Sequence, residues 1–185
     1  MSSAEPLTTR RYFDAGMVLL ADGGIGAVTI ENLCRQLQVT KGSFYHHFRG
    51  GEDYRQRLLH HWATDPERAI HNTVEQLTDP LARLAALKRY ALDLNHAAES
   101  AIRAWARADE AVAATQARVD AARERALAEV SEQAGLSAED AALYARASVT
   151  MLIGAQQRSR RVNRKRLVEM FDLITAAAFP GVTIP

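Results

Sequence analysis

Apolar positions recur along this chain at the three- and four-residue spacing of helices, and no segment predicts a strand. Over 9–22, Tyr12, Gly16, Leu19 and Leu20 share a face, with Phe13 and Met17 beside them; the stretch Gly23 to Gly26 then stops the helix. Thr29 reads as the N-cap of a short second helix whose stripe is Ile30, Leu33, Cys34 and Leu37. After a very short connection, a third helix is predicted from about Thr40 to Phe48, broken by Arg49, Gly50 and Gly51.

A fourth helix begins near Glu52, with Tyr54, Leu58, Leu59 and Trp62 as its stripe. Asp65-Pro66 and Asp79-Pro80 each resemble an N-cap followed by proline at the first helical position. Pro66 equally suits the interior of one long, kinked helix. Helices five to nine are predicted over 80–97, 100–108, 109–134, 138–159 and 164–178. Ser137 and Asp140 form a capping box before the eighth. The expected fold is therefore all-α, with about nine helices. A three-helix head over 1–51 rests on a larger helical body over 52–185.

Composition narrows the class. The 185 residues include 34 alanines, good helix formers and poor strand formers, which argues against sandwiches, barrels and βαβ enzymes. Lys+Arg (23) almost balance Asp+Glu (22), so bulk charge does not mark a nucleic-acid binder. The lone Cys34 excludes an intrachain disulfide framework or a Cys-rich zinc site, and it falls on the buried stripe of helix two, where a small hydrophobe is expected. The polar start MSSAEPLTTRR lacks a signal peptide's apolar stretch, and no run approaches the ~20 apolar residues of a membrane span. A cytoplasmic location without membrane contact is the expectation.

Helix three carries the chemistry. Phe44 and Phe48, four apart, supply a buried stripe, while Thr40, Lys41, Ser43, Tyr45, His46 and His47 occupy the polar face. Hydroxyls and lysine reach phosphates or base edges, and histidine donates to either. Any solvated helix also shows such residues. The short joint to helix two adds the outline of a helix-turn-helix.

The segment TIENLCRQLQVTKGSFYHHF, Thr29–Phe48, resembles the tetracycline-repressor (TetR) family of transcriptional regulators, through Gly24, Thr29-Ile30, the Leu37-x-Val39 turn and the aromatic FYHHF. The resemblance is specific over about 10–60 and weaker through Ala101–Asp109. It implies a head that enters the major groove and a body that binds an effector and dimerises. It implies phosphate contacts by Thr29, Tyr45 and His47, and base or phosphate contacts by Thr40, Lys41, Gly42 and Ser43, with His46 beside them. The expected function is a ligand-responsive regulator, by family habit a repressor. It would bind a palindromic operator as a homodimer and leave it when a small organic effector binds. A helical protein-interaction scaffold without specific DNA binding is the rival reading.

Two departures stand out. Gln38 occupies the place of the family's turn glycine; a left-handed backbone there costs of order 1 kcal/mol. Gly51 replaces a lysine expected to contact phosphate, leaving Arg49 or Arg55 as substitutes.

In the body, Trp62, Tyr90, Asn95, Trp105, Tyr144, Met151 and Gln156 are the candidate effector-pocket residues, although each also suits plain core. Their mostly neutral character points to an uncharged or weakly charged ligand; Arg103 or Arg107 could pair with a carboxylate, but arginines so near a surface helix are usually solvated. Leu152, Leu167, Met170, Phe171 and Ile174 are the candidate dimer contacts, since helix nine is apolar on nearly two faces. The basic run Arg158, Arg160, Arg161, Arg164, Lys165 and Arg166 falls between helices eight and nine, with Lys165 and Arg166 awkwardly placed in a first turn. No enzymatic constellation is visible. His46-His47 and His60-His61 are adjacent pairs that diverge around a helix, His71 and His96 lack partners at metal-ligand spacing, and no metal or cofactor is expected.

Overall fold

Local signals account for most helix boundaries. The computed structural model describes residues 8–159 and 161–181, with the backbone alone over 65–75. Among the described residues it is built from α1 (Thr9–Gly23), a 3₁₀ turn (Ile25–Ala27), α2 (Ile30–Leu37), α3 (Lys41–His47), α4 (Gly51–Glu75), α5 (Pro80–Asp93), α6 (His96–Ala106), α7 (Glu110–Gln133), α8 (Ala138–Arg158) and α9 (Arg164–Ala178). No strand is present among them.

Side chains of Thr29, Thr40, Asp79, Asn95, Asp109, Ser137 and Asn163 each accept from a backbone N–H in the helix they open. Gly24, at φ 68°, ends α1. Gln38 does adopt the left-handed conformation, φ 56° and ψ 44°, and its neighbour's N–H (Val39) returns to the Cys34 carbonyl, 2.9 Å, to close the turn.

One choice the residues leave open is decided, and two boundaries differ from expectation. α4 passes through position 66 as one helix, which settles the choice left open at Pro66 in favour of a single element. The segment expected as one helix over 80–97 stops at Asp93, and the helix expected over 100–108 begins at His96, because Leu94 is extended and the side-chain Oδ1 of Asn95 accepts from Ala98 N–H at 3.1 Å.

Helix α1 packs on α6, α7 lies along α8 and also touches α4, α5 and α6, and α9 closes against α5 and α8. The largest core is shared between head and body. Tyr12, Leu20, Leu33, Phe44 and Phe48 belong to the same cluster as Trp62 of α4, Ile102 of α6 and Val119 of α7. Gly16 permits the closest helix approach: a Cβ there would lie 2.0 Å from Tyr54 Oη. That hydroxyl donates to the Tyr12 carbonyl at 2.6 Å, and burial, reinforced by Asp14, raises its pKa far above a phenol's usual range. Two smaller clusters complete the body, one joining α5, α7 and Phe179, the other joining Leu92, Leu152, Leu167 and Phe171.

Candidate nucleic-acid interface and interior cavity

The third helix is held by its phenylalanines and presents its polar residues outward. Phe44 is fully buried and Phe48 nearly so, each edge-on to Tyr12 with centroids 5.9 and 5.3 Å apart. Thr40, Lys41, Gly42, Tyr45 and His46 are exposed, Tyr45 by 56%, while Ser43 and His47 are half-buried. Ser43 Oγ accepts from Tyr12 Oη at 3.1 Å, which orients the hydroxyl and leaves its own proton for an outside acceptor. The N-cap oxygen of Thr40 accepts from Ser43 N–H at 3.3 Å, and that of Thr29 from Asn32 N–H at 3.1 Å. Both threonines are thus structural caps on the exposed side of the head.

Around the helix's C-terminal end, Arg57 Nη1 donates to the His47 carbonyl at 2.8 Å, and its guanidinium lies 4.8 Å from the Phe48 ring centre. Of the two arginines considered as substitutes for the missing lysine, Arg55 is engaged by Glu52 at 2.7 Å, whereas Arg49 is exposed. Gly51 has room: a Cβ would meet nothing nearer than 3.9 Å. Cys34 is buried beneath this surface, and burial raises its thiol pKa against the opposing charge of Lys41.

Inside the body, α5, α7, α8 and α9 enclose a narrow cavity. Its wall is Leu84, Leu87, Ala91, Leu94, Leu127, Val149, Leu152 and Phe171, interrupted by Lys88, Tyr90, Arg123, Tyr144, Ser148 and Thr175. A second cleft opens toward the head, lined by Asp14, Met17, His61, Trp62, Asp93, Asn95 and Glu99, and it shares Tyr90 and Leu94 with the first.

A buried ion pair stands between the two spaces. Arg123 Nη1 and Nη2 donate to Glu99 Oε2 and Oε1 at 2.9 and 3.0 Å, and Trp62 Nε1 donates to the same carboxylate at 2.8 Å. Burial opposes the guanidinium's charge, but the carboxylate and its hydrogen bonds outweigh that and leave the Arg123 pKa raised. Trp62, Glu99 and Arg123 lie on α4, α6 and α7, so one polar chain links the cavity wall to the helix that follows the head.

Residues 13–53 match the family model described as bacterial regulatory proteins, tetR family. The head thus matches the N-terminal domain of that family. No curated protein matches the chain, so the remaining likeness is structural. A transcriptional regulator from Rhodococcus sp. Rha1 superimposes with a TM-score of 0.75 at 17% identity, covering 97% of this chain and 100% of that one. A TetR transcription regulator from Haloarcula marismortui gives 0.75 at 19% identity, with 92% and 95% covered. FadR from Bacillus subtilis, solved in complex with stearoyl-CoA, gives 0.62 at 14% identity, with 95% and 100% covered. The tetR-type fold therefore extends over the whole described chain. No helix among the described residues is long and apolar enough to cross a membrane.

Within this tetR-type body the sequence-nominated pocket residues separate. Tyr90 and Tyr144 line the interior cavity; Trp62, Tyr90 and Asn95 line the head-side cleft. Trp105, Met151 and Gln156 line neither: the first two pack against core clusters, and Gln156 is 1% exposed with its Nε2 3.3 Å from His96 Nδ1. Sequence reading passed over Glu99 and Arg123. Charged types are rarely buried, and their pairing across 24 residues leaves no periodic trace. Arg103, expected in solvent, instead forms a bidentate pair with Asp120 at 2.8 and 2.7 Å. Arg107 is exposed as expected.

The nominated dimer residues divide similarly. Leu152, Leu167 and Phe171 lie in the body's own core and Ile174 is half-buried, while Met170 is 41% exposed. The outward apolar residues are Leu143 and Leu173, 66% and 72% exposed. In the basic run, Arg164 reaches the Leu92 carbonyl and Asp93, both at 2.7 Å, tying α9 to the end of α5; Arg160 lies outside the described residues.

Proposed function

We propose that this protein is a ligand-responsive transcriptional regulator, a repressor and not an enzyme, that binds a palindromic operator as a homodimer and releases it when a small organic effector enters the body. One observation carries the reading. The exposed face of α3 and an apolar interior cavity occupy one chain and are joined through α4 by Trp62, Glu99 and Arg123. In this reading the segment to residue 51 reads DNA and 52–185 holds the effector and the partner. Lys41, Gly42, Ser43, Tyr45 and His46 meet base edges or adjacent phosphates, and Thr29, Thr40 and His47 flank them at the backbone.

A single short helix spans too few base pairs, so two heads must meet two half-sites. Leu143, Ala147, Thr150 and Gly154 on α8, with Met170, Leu173 and Ala177 on α9, form exposed or half-exposed stripes at helical spacing that suit pairing with a second copy. The stearoyl-CoA bound by FadR supports a ligand role for the equivalent body. An effector that prefers one arrangement of α4 over another shifts the population of operator-competent dimers.

The test is a mobility-shift assay on fragments flanking the gene, at several salt concentrations. A specific complex that weakens steeply with salt is expected, since phosphate contacts release counterions. Lys41→Ala should weaken it about tenfold or more and reduce the log–log salt slope by about one, with helical content unchanged. Unchanged affinity and slope for a validated operator would refute the assignment of α3.

A further inference from the structure

The basic run between α8 and α9 keeps most of its charge uncommitted. Arg158, Arg161, Lys165 and Arg166 are exposed, and none has a carboxylate partner among the described residues. Carboxylates of the adjoining helices are engaged by other cations: Asp93 receives Arg164, and Asp172 receives Lys88. Arg158 suits the C-terminus of α8, but Lys165 and Arg166 stand in the first turn of α9, where there is no acidic residue and the helix dipole disfavours cations. Helix stability gives no reason for them. The corner that carries them is well ordered by its own contacts. Val162 packs with Leu92, Leu152 and Leu167, and Ser159 Oγ donates to the Arg161 carbonyl at 2.7 Å and accepts from Arg161 N–H at 3.3 Å. The corner also lies at the head-side end of the body. Asp93, which Arg164 holds, lines the cleft that contains Asp14 and Met17 of α1, and Gln157 Nε2 donates at 3.2 Å to Ser100 Oγ of α6, the helix packed on α1. At its other end α9 leads to Phe179, which packs with Leu84 and Val130.

Resting on the reading of α3 as the helix that enters DNA, we infer that the α8–α9 corner is a second DNA-contacting surface, in which Arg161, Lys165 and Arg166 meet the sugar–phosphate backbone at the centre of the operator, between the half-sites. The two heads of a dimer face one duplex, so the head-side ends of both bodies face it too. The apolar stripes that suit pairing run along α8 and α9, and the corner joining these helices then lies beside the dyad in each copy. DNA is the occupant this placement favours over an acidic protein, because the heads already hold a polyanion on that side. Guanidinium and ammonium groups without local carboxylates gain charge-assisted bonds there and release the duplex's condensed counterions. The contact carries no base information: it raises affinity for every sequence and leaves the choice of sequence to α3. It also offsets the phosphate contact that Gly51 cannot make.

The experiment uses the full chain and a labelled duplex recovered by selecting bound genomic fragments. The triple variant Arg161→Gln/Lys165→Gln/Arg166→Gln is compared with the parent and with Lys41→Ala by fluorescence anisotropy across a salt series. Circular dichroism and gel filtration establish its fold and assembly first, and both should match the parent, since the three side chains are exposed and unpaired. Its affinity should fall about tenfold or more, and its log–log salt slope should become shallower by about two, one contact from each copy. Discrimination between the selected duplex and one mutated in a half-site should be unchanged. Uncharged methylphosphonate linkages at the centre of the duplex should weaken the parent and have little further effect on the triple variant. Parent-like affinity and slope in the triple variant while Lys41→Ala binds weakly would overturn this inference and leave the reading of α3 standing. Central methylphosphonates that weaken parent and triple variant equally would overturn it as well. Weakened dimerisation of the triple variant would assign the corner to the contact between copies, with the same consequence. A parent that selects no duplex would overturn the inference together with the reading of α3.

Discussion

Replacing Gly16 with alanine tests the joint between head and body. A Cβ at this position would sit 2.0 Å from Tyr54 Oη, 3.0 Å from Leu58 Cδ2 and 3.1 Å from Tyr54 Cζ. Tyr54 and Leu58 are each 1% exposed, so neither ring nor branch can swing into solvent. Relief requires the phenol and the methyl to separate by about 1 Å, which breaks the 2.6 Å bond to the Tyr12 carbonyl. Overpacking of this kind costs roughly 1–3 kcal/mol, and a stranded buried hydroxyl adds about 1–3 more. Against this, alanine in a helix interior gains about 1 kcal/mol over glycine.

The net expectation for Gly16→Ala is a loss of about 2–3 kcal/mol, which for a chain of this size lowers Tm by roughly 5–10 °C. Tyr54→Phe alone should cost about 1 kcal/mol. The pair Gly16→Ala/Tyr54→Phe should be less destabilised than the sum of the singles by more than about 1 kcal/mol, because the hydroxyl is the atom in the way. Urea unfolding of the four proteins in a double-mutant cycle measures each quantity. A Gly16→Ala protein as stable as the parent, or a cycle that closes additively, would refute the argument that this glycine sets the α1–α4 distance.

The remaining predictions concern the surface, the ion pair and pH. Gly51→Lys has room for its side chain and should strengthen operator binding while steepening the log–log salt slope by about one, measured by titrating the complex with salt. Glu99→Ala strands a buried guanidinium and frees Trp62 Nε1, so denaturation should show a loss of about 3–5 kcal/mol together with altered tryptophan emission. Burial lowers the pKa of His96 from 6.5, more than a backbone bond at Leu92 and the charge of Glu99 raise it. The unfolded chain therefore binds this proton more readily than the folded one. Its contribution to stability is complete above pH 6.5 and is lost progressively as pH falls below that value, until the folded imidazole also protonates. Urea unfolding at pH 7.5 and 5.5 should show a stability decrease that shrinks in His96→Gln.

Local signals made much of this protein legible from its residues alone. Thr29, Thr40, Asp79 and Ser137 cap helices where a short side chain with an oxygen precedes an apolar period, and each is decided within three or four residues. Phe44 and Phe48 bury because they lie one turn apart, and the same turn leaves Tyr45 and His46 outside. The head is therefore readable: its third helix is short, and periodicity separates its two faces.

The body follows another logic. Asn95, read as a pocket group, spends its oxygen capping α6; the helix break it makes was concealed by continuous alanine and leucine on both sides. Helix α9 offers apolar residues in several directions. Only the positions of Leu92 and Leu152 decide that Leu167 and Phe171 turn inward while Met170 and Leu173 stay out. The Trp62–Glu99–Arg123 chain joins three helices across 37 and 24 residues, and no spacing rule connects them. Periodicity reports which side of a helix is apolar, because that is set by the helix's own 3.6-residue turn. Which partner that side meets, and which charges are buried together, depends on how distant helices cross, and tertiary packing alone decides it.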